Sequence, residues 1–383
     1  MGDTGDLILS WRSMTMLMAC LPVIICSVLL LAKQVEESAA RILAVTLLVS
    51  VVSVVPQIIG FAGFYNVWPG LTFFPFATDL LLGPLLYLHA RVLLCSAPLG
   101  WRKWLVAPGL IQIAYYTWAF LYFADYEAKW AFSERFHVPF IVPAESILGV
   151  AVLAISIFMI WKYYGRYQVF LQNTQSDAIG FNPVWLKRIV LIAVIAGLLF
   201  SGIEMLGIFI DLAYTTLFPV QVLIMLSIAW LSIEAVWRLD QPFPKLSESD
   251  LVAVVGQPQE QSAQTGALPL EKWREEGTRI KAEVIANEWF LEARFSLQQL
   301  AKLMGSNEAY VSRAINQGLG VSFNEFINRL RVDRAKQLLV NGQPLIQIAL
   351  DSGFNSKATF NRAFKLYSSQ TPSDYRKSKR LKS

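Results

Sequence analysis

Five polar side chains, Gln57, Asp79, Glu145, Glu204 and Gln221, each interrupt a different long run of apolar residues. Amides and carboxyls are costly to keep in hydrocarbon, and where they persist they commonly serve function. Two readings stand. Contributed by five helices, they form a polar cavity that holds a signal molecule. Alternatively, each packs against a hydroxyl or amide of its neighbour, or lies nearer the membrane interface. Pro75, Pro84 and Pro143 lie close to Asp79 and Glu145. They either free backbone carbonyls that help line such a cavity or are tolerated kinks.

Catalytic chemistry is poorly provided for. His89 and His137 are the only imidazoles. Cys20, Cys26 and Cys95 fall in apolar stretches with no C-x-x-C spacing, which points to neither a disulfide framework nor a zinc site. There is no H-E-x-x-H for a membrane protease and no G-x-x-x-x-G-K-[ST] for an ATP-driven pump. The last apolar run, 214–237, lacks the lysine a retinal Schiff base needs. No enzymatic activity, cofactor or metal is expected.

Those polar residues are set in an unusual background. Hydrophobic residues make up 55% of the 383 and charged residues 16%, against about 45–50% and about 25% in soluble domains. The apolar excess sits before residue 238. Residues 1–270 carry 14 basic and 17 acidic side chains, whereas residues 271–383 carry 19 and 11. An apolar, slightly acidic front is joined to a basic back, so a single soluble domain is excluded.

A membrane helix needs roughly 20 apolar residues. Seven runs qualify, at about 14–32, 42–64, 71–95, 104–123, 138–161, 189–211 and 214–237. The first lacks the cleavage site of a signal peptide and is expected to be retained. Trp101, Trp104, Trp161, Tyr163, Tyr164, Trp185 and Trp237 cluster at span ends, where such rings favour the headgroup region. With the N-terminus outside, nine Lys and Arg residues fall in inner loops and three in outer ones. That bias orients the C-terminus toward the cytoplasm. Seven spans do not divide into two equal repeats, which argues against a secondary transporter.

Residues 239–270 are broken by Pro242, Pro244, Pro258 and Pro269 and read as a flexible linker, spanning on the order of 30 Å as a coil. A helix follows, with Leu270, Trp273, Gly277, Ile280 and Val284 in one stripe. Its favoured role is packing on the next domain; a signalling or dimer helix is the alternative.

Beyond it a pattern occurs twice. Ser296 caps a short helix bearing Leu297, Leu300, Ala301 and Met304, and Gly305 suits a left-handed turn. Ser306 and Asn307 cap a second helix with Tyr310, Val311, Ala314 and Ile315. After 48 residues, Ile346, Ile348 and Ala349 mark a short helix, Gly353 a turn, and Asn355 and Ser356 the cap of the next helix. Phe323, Phe326, Ile327, Leu330, Ala335, Leu338 and Leu339 mark an amphipathic connector, and Thr371-Pro372 opens a last helix. Two helix-turn-helix units in a basic setting fit two successive major grooves, about 34 Å apart.

These residues resemble the AraC/XylS-type DNA-binding domain over 290–377. The matching stretches are Ser296–Leu303, Gly320–Arg331, Arg334–Leu339, Ile348–Phe354, Phe360–Lys365 and Thr371–Arg376. Ser369 departs from the pattern, since the family usually places Gly before the Thr-Pro. The front half is similar in layout to membrane-attached members. The resemblance implies that Asn307, Ala309, Tyr310, Ser312 and Arg313 on one recognition helix lie at DNA, and Ser356, Lys357, Ala358, Asn361 and Arg362 on the other. Arg pairs with guanine and Asn with adenine, while Ser, Lys and helix N-termini hold phosphates.

The expectation is therefore an all-α chain. Residues 1–238 form a seven-helix transmembrane bundle, 239–270 a linker, and 271–383 a cytoplasmic AraC-type tandem helix-turn-helix domain. The implied function is a membrane-embedded, sequence-specific transcription regulator that senses a signal in its bundle. The last span and the linker would pass on the change. Implied partners are promoter double-stranded DNA, membrane lipid, RNA polymerase, a signal ligand and a second copy in a homodimer. The alternative is a receptor or transporter whose appended domain binds a protein.

Overall fold

The computed structural model describes residues 10–209, 214–240, 242–247, 269–339 and 343–380, with the side chains of 200–209, 214 and 380 outside that description. Among the described residues the secondary structure is helical throughout, the all-α class that the sequence predicts. The chain forms two compact units: Met1–Tyr163 with Pro183–Lys245, and Tyr164–Asn182 with Leu246–Ser383.

The main helices of the first unit are α1 (Trp11–Leu31), α2 (Glu37–Val52), α3 (Val55–Phe61), α4 (Asp79–Leu94), α5 (Ala107–Tyr122), α6 (Val142–Thr174), α7 (Val184–Phe209) and α8 (Phe218–Arg238). The boundary between the units falls within α6. In α1, Ser10 caps the first turn by accepting from Ser13 N at 3.2 Å. Its buried face, Met16, Ala19, Cys20, Val23, Cys26, Ser27 and Leu30, repeats every seven residues and packs on α2 and α8. Small residues in that seam let the backbones approach closely. Met18, Leu21, Ile25 and Val28 stay exposed on the other face. A helix apolar on its outer face as well is suited to hydrocarbon surroundings.

Among the described residues, five helical stretches are long and apolar enough to cross a membrane: Trp11–Leu31, Glu37–Phe61, Gly100–Tyr122, Tyr126–Thr174 and Thr215–Arg238. Of the two other expected spans, 71–95 is α-helical only over the 16 residues of α4, about 24 Å of rise. The other falls on α7, whose last ten side chains, Glu204 among them, lie outside the described residues. Trp101, Trp104, Trp161 and Trp237 are exposed. Trp185, Tyr163 and Tyr164 are buried instead, with Trp185 at 1% exposure beside the His89 ring. The start of the expected linker is packed too. Phe243 is buried, its N–H donates to Glu36 Oε1 at 3.1 Å, and Lys245 pairs with Glu36 at 2.7 Å.

In the second unit, α9 (Leu270–Ala286) is followed by α10 (Leu297–Leu303), α11 (Glu308–Arg313), α12 (Phe323–Leu338), α13 (Leu345–Asp351), α14 (Lys357–Ser368) and α15 (Pro372–Arg380). Two apolar cores divide it. Phe323, Phe326 and Ile327 of α12 join a core with α9, α10 and α11. One turn on, Val332 and Ala335, with Leu339, join a core with α13 and α14. The connector thus belongs to both units of the repeat. Trp273, Gly277, Ile280 and Val284 of α9 are buried on this domain, while Leu270 is 56% exposed. A Cβ on Gly277 would stand 2.8 Å from Ala314 O, and one on Gly318 would stand 2.0 Å from Trp273 O. Glycine at both points is what lets the two backbones meet.

Candidate nucleic-acid interface

The two helix-turn-helix units share their turn chemistry bond for bond. In the first, Ser306 N donates to Ala301 O at 2.9 Å and Gly305 N to Lys302 O at 3.2 Å. In the second, 48 residues later, Phe354 N donates to Ala349 O at 2.9 Å and Gly353 N to Leu350 O at 2.9 Å. This is the Schellman closure of a helix end, which needs a left-handed residue. Gly305 and Gly353 supply it at φ +61° and +83°. Ser296 and Gln299 form a full capping box on α10. Asn307 Oδ1 accepts from Tyr310 N at 2.8 Å, and Ser356 Oγ accepts from Thr359 N at 3.1 Å. Each second helix therefore starts on a satisfied cap.

The ten expected DNA-facing residues are not placed alike. On α14, Lys357, Ala358 and Arg362 are exposed, and Ser356 and Asn361 half-buried. On α11, Asn307, Ala309 and Arg313 are exposed, and Tyr310 and Ser312 half-buried. Tyr310 turns toward α9: its ring lies 5.2 Å from that of Trp273, and its hydroxyl hydrogen-bonds with Glu276. The Arg313 guanidinium sits 5.7 Å over the same Trp273 ring. Ser312 Oγ accepts from Asn316 at 3.3 Å. Asn307 and Ser356 have helix caps to make, leaving Ala309, Lys357, Ala358 and Arg362 as the most open set.

The sequence reading missed a second feature. Residues 175–182, between α6 and α7, lie along the domain. Ser176 N donates to Phe295 O at 3.0 Å, and Gln175 and Ser296 form an antiparallel bridge. Three α12 side chains grip the same segment. Asn324 Nδ2 donates to Gln175 O at 2.9 Å and Ser176 O at 2.8 Å, and Asn328 Nδ2 donates to Ser176 O at 3.0 Å. Arg331 donates to Ser176 Oγ at 3.1 Å, to Phe290 O at 2.7 Å and to Glu292 O at 2.8 Å. From the second helix-turn-helix, Asn355 donates to Asp177 Oδ2 at 2.7 Å. Arg331 is 1% exposed. Burial lowers its pKa to about 10, with Asp177 pulling the other way, so the guanidinium stays charged at neutral pH. Asn324, Asn328 and Arg331, spaced 4 and 3 apart, make a polar stripe on an otherwise amphipathic helix, a signal the sequence did carry.

Of the five polar residues in apolar runs, Gln57, Asp79, Glu145 and Gln221 line one cavity of about 530 Å³ in the first unit. They reach it from α3, α4, α6 and α8. For Glu204 no side-chain position is described. His137 meets Tyr115 at 3.0 Å, and His89 meets the carbonyl of Ala39 at 2.8 Å. Among the described residues, no group of His, Cys, Asp and Glu has the makings of a metal site.

Comparison with known proteins bears on the second unit. A helix-turn-helix domain family model matches residues 300–378. Residues 300–378 are an AraC-type helix-turn-helix domain. An uncharacterized HTH-type transcriptional regulator of Staphylococcus aureus (strain COL) is 39% identical over 82 residues, 21% of this chain and 11% of its own length. One from Haemophilus influenzae is 37% identical over 93 residues, 24% of this chain and 29% of its own. The chain thus matches under a third of the length of these relatives. Among solved structures, the C-terminal domain of AraT, a response regulator from Geobacillus stearothermophilus, is 26% identical. It covers 30% of this chain and 88% of its own, with a TM-score of 0.24. The AraC-type domain is a DNA-binding fold, and both of its units are complete here.

Proposed function

We propose that this chain is a membrane-embedded transcription regulator that binds promoter DNA through its two helix-turn-helix units and senses a signal in its apolar bundle. The observation that carries this reading is the joining, in one chain, of an AraC-type domain to helices long and apolar enough to cross a membrane, five of them among the described residues. The N-terminus is outside and the AraC-type domain cytoplasmic, as the excess of inner-loop Lys and Arg requires. Ala358 and Arg362 read bases directly, Lys357 holds phosphate beside them, and Arg313 reads bases on leaving Trp273. Asn307, Ser312, Ser356 and Asn361 hold phosphate or base edges beside them. RNA polymerase, surrounding lipid and a second copy of the chain complete the set of partners.

The route of the signal differs from that expected of the linker alone. Residues 175–182 follow directly on α6, one of the long apolar helices, and are bonded to α12 and Asn355. A change of state in the bundle then reaches the connector shared by both DNA-reading units. Supporting this is the burial of Ser176 and Arg331 at the contact.

The test is site-resolved DNA occupancy by the full-length protein in its native membrane, across growth conditions. The Asn324→Ala, Asn328→Ala double variant is expected to keep its sites and lose its response to conditions. Retention of the full response would refute the route through 175–182. Absence of any specific site would refute the regulator itself.

A further inference from the structure

The cavity of the first unit has a polar end that gathers two carboxyl groups and the Gln221 amide. Tyr116 donates to Glu145 Oε2 at 3.0 Å, and Gln112 also hydrogen-bonds Glu145 while accepting from Leu80 N at 3.3 Å. Asp79 is near enough to Glu145 to act on it electrostatically. Gln221, 8% exposed, lines the same cavity, and its Oε1 has no hydrogen-bond partner among the described residues. Among the described residues that line it there is no Lys, Arg or His. The rest of the wall is mostly aliphatic, with Leu43, Leu47, Leu86, Leu153, Ile192 and Met225.

Two carboxyl groups within electrostatic reach of one another in apolar surroundings repel when both are ionised, and a cation between them relieves that repulsion. A buried amide oxygen left unpaired costs about 1–3 kcal/mol until a donor arrives. Both deficits are met by one group, a protonated amine with N–H donors. A volume of about 530 Å³ lies within the range of small-molecule sites, which are mostly apolar with a few placed polar groups. A phospholipid amine fits poorly, because its phosphate would face the carboxyls with no cation to balance it. We propose that this cavity binds a free amphiphilic amine, its ammonium at Asp79, Glu145 and Gln221 and its alkyl or aryl body along the aliphatic wall. The proposal rests on the reading of this cavity as the signal site.

The probe is octylamine, with octanol and octanoate as neutral and anionic matches. Full-length protein in phosphatidylcholine nanodiscs is titrated with each, and binding is read by calorimetry and by the shift in thermal unfolding. Octylamine is expected to bind saturably and at least tenfold more tightly than either match. Asp79→Asn and Glu145→Gln are each expected to weaken it on the order of tenfold or more. Gln221→Leu removes an unsatisfied acceptor and is expected to keep the fold while weakening octylamine severalfold. Equal binding of octanol or octanoate overturns the proposal. So does unchanged affinity in Gln221→Leu and whichever carboxyl variants fold, or displacement of octylamine by phosphatidylethanolamine. The sensing reading has its own readout: Ala196→Phe, which fills the cavity, is expected to abolish condition-dependent DNA occupancy whatever the ligand. A persistent response there sinks the sensing reading; a lost response beside amine-blind binding sinks only the ligand class.

Discussion

The Asn355 amide donates to Asp177 Oδ2 at 2.7 Å, joining residues 178 positions apart in the chain. Asn355 directly precedes Ser356, the cap of the second recognition helix. Asp177 is itself held by a turn in which Gly180 N donates to Oδ1 at 3.0 Å. A hydrogen bond to a charged group contributes about 1.5–3 kcal/mol. In a double-mutant cycle, Asp177→Ala and Asn355→Ala are expected to be non-additive by about 1–2 kcal/mol. Denaturant unfolding of the four proteins checks this; additivity within about 0.5 kcal/mol would show the contact to be idle.

Arg331 stabilises by supplying donors to Phe290 O, Glu292 O and Ser176 Oγ. Arg331→Met keeps much of the stem packing and leaves those buried acceptors unpaired. The expected loss is about 2–4 kcal/mol, from the desolvated carbonyls rather than from lost charge. Arg331→Lys is expected to recover little of it, since an ammonium cannot match the guanidinium fork. Unfolding midpoints of the wild type and both variants decide the point.

Arg362 and Lys357 should separate base reading from phosphate attraction. Arg362→Ala is expected to cost about 1–3 kcal/mol at the specific site and to relax selection at one base position. Lys357→Ala is expected to weaken all sequences alike and lower the salt slope by about 1. Arg313→Ala should behave like Arg362→Ala, with a smaller loss, because its guanidinium must first leave Trp273. Binding-site selection at several salt concentrations distinguishes these outcomes.

Ser369 occupies a left-handed position, φ +59°, at the C-terminal end of α14. Glycine adopts that conformation without the Cβ clash that makes it costly for other residues. Ser369→Gly is expected to stabilise the chain by on the order of 1 kcal/mol, visible as a raised unfolding temperature with DNA affinity unchanged.

The AraC-type domain was legible because its signals are local. Caps, turn glycines and 3–4 spacing lie within a few residues of one another, and Gly305, Gly353, Ser296, Asn307 and Ser356 all occupy the roles their types suggest. The meeting of Gln57, Asp79, Glu145 and Gln221 was legible in outline, since polar residues in apolar helices turn inward. Other features depend on pairings that leave no local period. Ser176 and Asp177 read as an ordinary polar loop, and only partners more than a hundred residues away, Phe295 and Asn355 among them, reveal them. Trp185, Tyr163 and Tyr164 look interfacial by type and position, yet neighbouring helices bury them. Likewise α9 shows its stripe in sequence, but that Trp273 lies against Tyr310 and Arg313 follows only from the close crossing at Gly277 and Gly318.

The central claim is that the intact, membrane-held chain binds specific DNA through its two helix-turn-helix units. Genome-wide crosslinking of the full-length protein in its native membrane tests it most directly, beside the Arg313→Ala, Arg362→Ala double variant at equal membrane abundance. The account predicts a discrete set of promoter sites that the variant loses. Identical profiles for the two proteins, or no enrichment from the wild type, would contradict it.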